Sequence, residues 1–297
     1  MSSGIYNGLN DGMLNGQNDG LLTGTANGLY SNINNNNSLE KETIKLISVG
    51  VFSSNEIIAV NTLIKSFKRF NLWDKYYAIY PFLGATASSC KWNIKDIRDE
   101  DSAFRLIYPF GSSYLNFTNY GMEFTGVSES YAVTNLIPSI VFKGSDAFSM
   151  GCYVNGGTLT GGPYPATMGT SITADKEQAL SLRTSGKYFA FQGDVLPIVS
   201  TSNTNYTGFF YGNSAPVGSN ATLFRNQTVI GTQLVTDATK LSTIPMWLGN
   251  SNVNNSNSLG YSNVRMGIAL IGKNLNSAEY SLLQMTIQQF VKSLNRE

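Results

Sequence analysis

The sequence contains no histidine. The chain therefore cannot form a Ser-His or Cys-His nucleophile pair, and it lacks the commonest protein metal ligand. Catalysis by paired carboxylates remains open, because glycoside hydrolysis needs only two Asp or Glu side chains about 5 to 10 Å apart. The acidic candidates lie in one cluster of mixed sign: Lys95, Asp96, Arg98, Asp99, Glu100, Asp101 and Arg105. This mixture favours a turn held by ion pairs, and we expect no catalytic residue, no cofactor and no metal site.

Charged side chains are scarce and balanced. They make up 13% of the 297 residues, and 20 basic against 19 acidic residues give a formal net charge of +1. No basic block of the kind that follows nucleic-acid phosphates is present, so no nucleic-acid partner is expected. No apolar run approaches 18 residues, and the amino terminus lacks the basic and apolar regions of a signal peptide. These features predict a soluble protein that is made in a cytoplasm and does not insert into a membrane.

Cysteine is also rare. Cys90 and Cys152 fit neither a zinc-binding pattern nor a disulfide framework. The simplest interpretation is two small buried residues, while a bridge between them stays open.

Glycine, in contrast, recurs at a strict interval of four residues near the amino terminus: Gly4, Gly8, Gly12, Gly16, Gly20, Gly24 and Gly28. Most of these glycines follow Asn or Asp, and this dipeptide favours turns that need a positive φ. A helix is disfavoured, because each interior glycine costs about 1 kcal/mol relative to alanine. The segment therefore predicts a succession of tight turns.

Apolar side chains that follow these glycines form a regular row: Ile5, Leu9, Met13, Leu21 and Leu29. A short run of turns cannot bury such a row by itself, so we expect other subunits to cover it. Residues 1–37, which end in four consecutive asparagines, are predicted to anchor the chain and to support oligomerisation. A disordered low-complexity tail is the alternative.

Two amphipathic helices are predicted in the remaining sequence. Ser53 and Glu56 have the spacing of a capping box, and apolar residues then recur at steps of three and four as far as Asn71. Asn276 and Glu279 begin a second helix in the same way. We expect this last helix to cover one edge or one face of the fold.

Between the helices, short apolar runs alternate with Gly, Asn, Ser and Pro. This pattern predicts a mainly β fold, an antiparallel sandwich of two sheets with aromatic side chains in its core. Strands are expected at residues 104–108, 123–127, 149–154, 179–183, 188–192, 207–211, 222–225, 246–248 and 264–271. Polar loops at 203–205, 213–220 and 250–258 have side chains that suit carbohydrate hydroxyls, although solvated connections are the simpler interpretation.

Six segments resemble a known family: residues 72–75, 78–84, 91–96, 244–250, 266–269 and 276–296. The first three resemble a block common in structural proteins of tailed bacteriophages, notably crAss-like phages and other phages of Bacteroidota. The last three are similar to the end of a concanavalin-like, laminin-G-type jelly roll of phage tail and fibre proteins. The resemblance implies a jelly-roll sandwich with one amino-terminal and one carboxy-terminal helix.

The resemblance further implies a non-enzymatic virion component, a head or tail fibre subunit that assembles in the bacterial host cytoplasm. The expected partners are identical subunits, as a homotrimer or with closed symmetry of another order, and other capsid or tail proteins. Residues 1–37 would form the anchor, 38–100 a helical collar and linker, and 101–297 the jelly roll with its carboxy-terminal helix. An adhesin module for host-surface glycans is the alternative function, and a polysaccharide depolymerase is the third.

Overall fold

The computed structural model describes residues 38–142, 147–157, 167–172, 177–183, 186–190, 198–201, 207–236, 241–256 and 261–297. The glycine repeat lies outside the described residues, and so does every anchor candidate within it. The polar loop at 203–205 lies outside them too.

Helices and strands alternate irregularly along the described part of the chain. The helices are α1 (Lys41–Val49), α2 (Ser54–Arg69), α3 (Ala87–Cys90), α4 (Pro138–Val141) and α5 (Ser277–Ser293). The strands are β1 (Tyr76–Tyr80), β2 (Leu115–Thr118), β3 (Gly121–Phe124), β4 (Ala132–Val133), β5 (Phe148–Gly156), β6 (Met168–Ser171), β7 (Glu177–Arg183), β8 (Gly186–Ala190), β9 (Ile198–Thr201), β10 (Gly208–Asn213), β11 (Asn220–Arg225), β12 (Thr228–Leu234), β13 (Trp247–Leu248), β14 (Ser251–Val253) and β15 (Arg265–Lys273).

The strands form two sheets. Sheet A has the order β12-β11-β10-β5-β15-β3-β2, and β1 also pairs with β15. Sheet B has the order β4-β13-β6-β7-β8-β9, with β14 added parallel to β6. All other pairings are antiparallel. The predicted mainly β, antiparallel sandwich with a helix near each end of the described chain is therefore confirmed.

The central strands of sheet A are buried on both faces. Along its central strand β5, Cys152 and Val154 point into the core between the two sheets, whereas Tyr153 points into a second core beneath the helices. In β15, Ala269 and Leu270 divide between the two cores in the same way. This explains why both strands are almost continuously apolar, since neither face meets water.

The helices α2 and α5 cover the outer face of sheet A. Both begin with the predicted capping box, in which the side chain of Ser53 or Asn276 accepts from the backbone N–H three residues on. Their apolar stripes pack on the sheet through residues such as Phe67 and Ile287, which are fully buried. The sequence predicted that this last helix covers one edge or one face of the fold, and α5 covers a face of sheet A.

One prediction about the region before residue 110 is wrong. The expected strand at 104–108 does not form, because Phe104 has a φ of 57° and only Ile107 makes an isolated bridge, to Val133. Within residues 38–100, predicted as a helical collar and linker, β1 pairs with β15 of sheet A and α2 shares a core with α5.

Near the carboxy terminus, Arg296 is buried and only 1% exposed. It donates from Nε to the carbonyl of Asn119 at 2.8 Å, from Nη1 to the carbonyls of Pro81 and Gly267 at 2.9 Å each, and from Nη2 to the carbonyl of Phe82 at 2.9 Å. Burial lowers the pKa of Arg296 to about 10, so it stays a cation at neutral pH. One side chain thus joins three separate stretches of backbone.

Both cysteines are buried and free, which confirms the simpler interpretation. Burial raises the pKa of the Cys90 thiol to about 12 and also raises that of Cys152. Neither thiol is therefore primed for nucleophilic chemistry, because the reactive form is the thiolate.

Candidate functional site

The mixed-sign cluster at 95–105 forms the predicted ion-paired turn. Its contacts are Lys91–Asp99 at 2.7 Å, Arg98–Asp96 at 2.5 Å, Arg98–Glu100 at 2.6 Å, Arg105–Asp99 at 2.9 Å and Arg105–Asp101 at 3.2 Å. The hydrogen bond from Arg98 lowers the pKa of Asp96, and the one from Lys91 lowers the pKa of Asp99. A general acid for glycoside hydrolysis needs a raised carboxyl pKa. The pKa values of Asp96 and Asp99 are shifted in the opposite direction.

Two asparagines of the predicted polar loops bond the backbone rather than face solvent. Asn213 accepts from the N–H of Leu275 at 2.9 Å and donates to its carbonyl at 2.8 Å. The fully buried Asn252 donates to the carbonyl of Pro245 at 2.8 Å. Neither the ligand-binding nor the solvated interpretation of these loops holds for these residues, because both amides fasten neighbouring segments together.

The sequence did not point to an exposed surface segment of the sandwich that contains two aromatic rings. Six consecutive residues, 109–114, are exposed in the loop before β2. The segment contains two aromatic rings and two serines, with Phe110 46% and Tyr114 40% exposed. Val127, in the loop after β3, is exposed to the same degree as Tyr114. We name Phe110, Ser112, Ser113 and Tyr114 the aromatic platform.

A buried pair of rings supports this platform. Tyr131 stacks on Trp247 with ring centroids 4.0 Å apart and planes inclined by 14°. Phe110 meets Tyr131 edge-on at 5.8 Å. Trp247 is held in β13, where it pairs with Val133 of β4. Burial, with a smaller contribution from Glu129, raises the pKa of Tyr131, so the supporting ring is neutral at physiological pH.

Hydrogen bonds tie the platform loop to the loop after β3. Thr125 donates from Oγ1 to the carbonyl of Tyr114 at 2.9 Å, and its N–H donates to Ser130 Oγ at 2.7 Å. Asn250 donates to the carbonyl of Ser128 at 3.4 Å. These contacts fix the loops on the ends of β2, β3 and β13, which favours a preformed binding surface.

The platform has little charge. Residues 106–133, which include both loops, contain Glu123 and Glu129 but no Lys or Arg. Exposed rings next to hydroxyl groups bind ligands that have both apolar and hydroxylated faces. The only local sign in the sequence was a Gly-Ser-Ser turn flanked by Phe110 and Tyr114.

Within the described ranges, no group of three or more acidic or cysteine side chains is arranged to hold a metal ion. The helices in those ranges include none with the length and apolarity that a bilayer crossing needs.

No family model and no curated protein matches the sequence. Among solved structures, the chain is similar to a Trypanosoma rangeli sialidase in complex with 2,3-difluorosialic acid, with a TM-score of 0.50 and 11% identity over 79% of this chain and 39% of that one. A botulinum neurotoxin type C structure gives a TM-score of 0.45 and 12% identity over 73% of this chain and 52% of that one. The chain thus spans about half or less of the length of these structures.

A third similar structure is the CBM40 of a Ruminococcus gnavus IT-sialidase bound to α2,6 sialyllactose. Its TM-score is 0.38 at 10% identity, over 48% of this chain and 84% of that one. At such identities the likeness concerns the fold alone. The strand pairings, together with the likeness to the sialidase fold, define the chain as a mainly antiparallel β-sandwich protein.

Proposed function

We propose that this β-sandwich is a glycan-binding module and that the aromatic platform holds the sugar. The observation that supports the proposal is the pair of exposed rings, Phe110 and Tyr114. Phe110 packs edge-on against the buried stack of Tyr131 and Trp247, and the backbone of Tyr114 is held by Thr125. An aromatic face packs well on the C–H face of a pyranose, while Ser112 and Ser113 can hydrogen-bond its hydroxyls. The preformed loops reduce the entropy lost on binding.

The charge around the platform favours neutral sugars. Its two loops contain one carboxylate, Glu129, and no cation, so an anionic sugar would meet repulsion without a compensating ion pair. The sialidase with a similar fold was solved with a sialic acid analogue, which makes sialylated glycans the necessary comparison. We expect neutral glycans to bind more tightly than their sialylated counterparts.

The test is a glycan array probed with the full chain. Phe110→Ala/Tyr114→Ala should weaken binding by at least about tenfold, because it removes both stacking rings. The matched control is Tyr120→Ala, since Tyr120 is 52% exposed and lies in the turn between β2 and β3, at the other end of that hairpin. Unchanged binding by the folded double variant, or no binding of any glycan by the folded wild type, would overturn the proposal.

A second function, compatible with the first, is a subunit of a phage head or tail fibre. The resemblance of residues 72–96 and 244–296 to phage structural proteins supports it. The expected results are a trimer by native mass spectrometry and labelling of virions by an antibody against the chain. A monomer in solution together with unlabelled particles would contradict this function and leave the glycan test unaffected.

A further inference from the structure

A groove runs along the surface between α2 and α5, on the outer side of the helical layer. Its volume is about 470 Å³, and it is lined by Asn61, Thr62, Lys65, Ser66, Arg69, Phe70, Met285, Thr286 and Gln289. An adjoining depression of about 240 Å³ extends it towards Ile58 and Ser293 and shares several of these residues, among them Ser66. Together the groove and the depression follow most of the length of α2.

The lining is amphipathic. Thr62, Ser66 and Gln289 offer hydroxyl and amide groups along the groove. Ile58 and Met285 are apolar yet 53% and 52% exposed. Exposed apolar side chains beside a groove are typical of a surface that another segment covers.

The described chain begins beside this groove. The backbone N–H of Glu40 donates to Asn61 Oδ1 at 2.8 Å, and Thr43 Oγ1 donates to the same oxygen at 3.1 Å. Glu40 and Glu42 each lie 2.6 Å from the ammonium of Lys68. Because Asn61 lines the groove, Glu40, two residues after the described chain begins, lies at the margin of the groove.

The repeat fits the groove in length and in charge. Leu29 precedes Ser38 by nine residues, which span up to about 30 Å when extended. The 16 residues of α2 measure about 24 Å, so Leu29 can reach any point along that helix. The charged side chains of residues 1–37 are Asp11 and Asp19, both acidic, whereas the groove contains Lys65 and Arg69.

We infer that the glycine repeat of the same chain docks in the groove between α2 and α5. Its apolar row covers Ile58 and Met285, and its turn amides and asparagine side chains bond to the hydroxyls and amides of the lining. The helical layer then supplies the cover that the row of Leu and Ile side chains needs. Cover by other subunits is the competing arrangement.

Cross-linking in the full chain tests this inference. In Leu29→Cys/Ser66→Cys, a short bismaleimide should join the two cysteines within one chain, detected as a linked peptide by mass spectrometry and as a monomer on a gel. The native Cys90 and Cys152 are buried and should not compete. The control is Leu29→Cys/Ile140→Cys, because Ile140 is 61% exposed but belongs to α4, which bonds to Ser242 beside sheet B; this pair should not link.

A second pair, Leu21→Cys/Ser66→Cys, guards against loss of docking through the change at Leu29. A link within one chain in either Ser66 pair, without one in the Ile140 pair, supports the inference. A link that joins two chains shows that a second copy supplies the repeat and overturns it. Absence of any link in both Ser66 pairs, or equal linking in the Ile140 pair, also overturns it.

Discussion

Arg296 donates a hydrogen bond of 2.9 Å to the carbonyl of Phe82, which lies 214 positions earlier in the chain. Phe82 has a φ of 46°, a left-handed conformation that a bulky residue rarely adopts. The same guanidinium holds the carbonyls of Pro81 and Gly267. The strained turn after β1 is therefore stabilised by a contact from the end of the described chain.

Arg296→Ala should strongly destabilise the fold. It would leave three buried carbonyls and one partly buried carbonyl, that of Asn119, without this donor. Charged hydrogen bonds are worth about 1.5 to 3 kcal/mol each. We expect a loss of at least about 3 kcal/mol in the free energy of unfolding, measured by urea denaturation. The exposed Lys292→Ala, one turn earlier, should change it by less than about 0.5 kcal/mol. Equal effects of the two substitutions would contradict a stabilising role of the Arg296 hydrogen bonds.

Substitutions at two glycines should distinguish the cost of backbone strain from the cost of a steric clash. Gly249 and Gly218 have similar φ values, 77° and 83°, but a Cβ at Gly249 would lie 1.9 Å from the ring of Phe124 whereas one at Gly218 would meet nothing within 4 Å. Gly218→Ala should cost about 1 kcal/mol for its conformation alone. Gly249→Ala should cost about 3 kcal/mol or more, because Phe124 must move. Urea denaturation of both variants measures the difference, and similar costs would show that Phe124 yields freely.

Buried tyrosines should make the fold sensitive to alkali. The hydroxyls of Tyr76 and Tyr211 lie 3.2 Å apart, and burial raises the pKa of both. The unfolded chain loses these protons near pH 10 while the folded chain keeps them. Above about pH 10 the unfolded state therefore binds fewer protons, so this contribution to stability is complete below that pH and is lost as the pH rises.

The expected loss is about 1.4 kcal/mol per pH unit for each such tyrosine. In Tyr76→Phe/Tyr211→Phe, which removes both hydroxyls together, the free energy of unfolding should fall less steeply between about pH 10 and 11. Urea denaturation across that range checks it. A slope equal to that of the wild type would mean that these hydroxyls ionise without unfolding.

Lys95 should titrate near neutral pH. Burial lowers its pKa to about 8, although Asp74 opposes the shift. Its ammonium lies 4.0 Å from the centroid of the Trp73 ring. Loss of the charge should change Trp73 fluorescence with a midpoint near pH 8, and Lys95→Met should abolish the step. Trp92→Phe, which leaves Trp73 in place, should preserve it; a step that persists in Lys95→Met would assign it to another group.

The helices were predictable because their signals are local. Ser53 with Glu56, and Asn276 with Glu279, satisfy the first backbone N–H groups within four residues, and both capping boxes form as predicted. The long strands β5 and β15 were also found, since burial on both faces leaves a nearly continuous apolar run. Edge strands such as β12 were missed, because their partly exposed residues give no clear alternation.

The candidate site depends on contacts that no local pattern records. Tyr131 and Trp247 meet only when β4 pairs with β13, more than a hundred residues apart in sequence. The absence of a strand at 104–108 also depends on a contact distant in sequence. The hydroxyl of Tyr80 donates to the carbonyl of Phe104, whose backbone is left-handed. The polar loops were interpreted mainly as solvated connections, yet Asn213 at the start of one of them bonds the backbone of Leu275.

The position of β15 in the sequence also affects how the protein folds while it is being synthesised. This strand lies between β5 on one side and both β1 and β3 on the other. It is formed by residues 265–273, which follow all three of those strands in the sequence. Until those residues emerge from the ribosome, hydrogen-bonding edges of the earlier strands remain open to other chains. Nascent polypeptides halted before residue 264 should therefore be protease-sensitive and need a chaperone to stay out of aggregates.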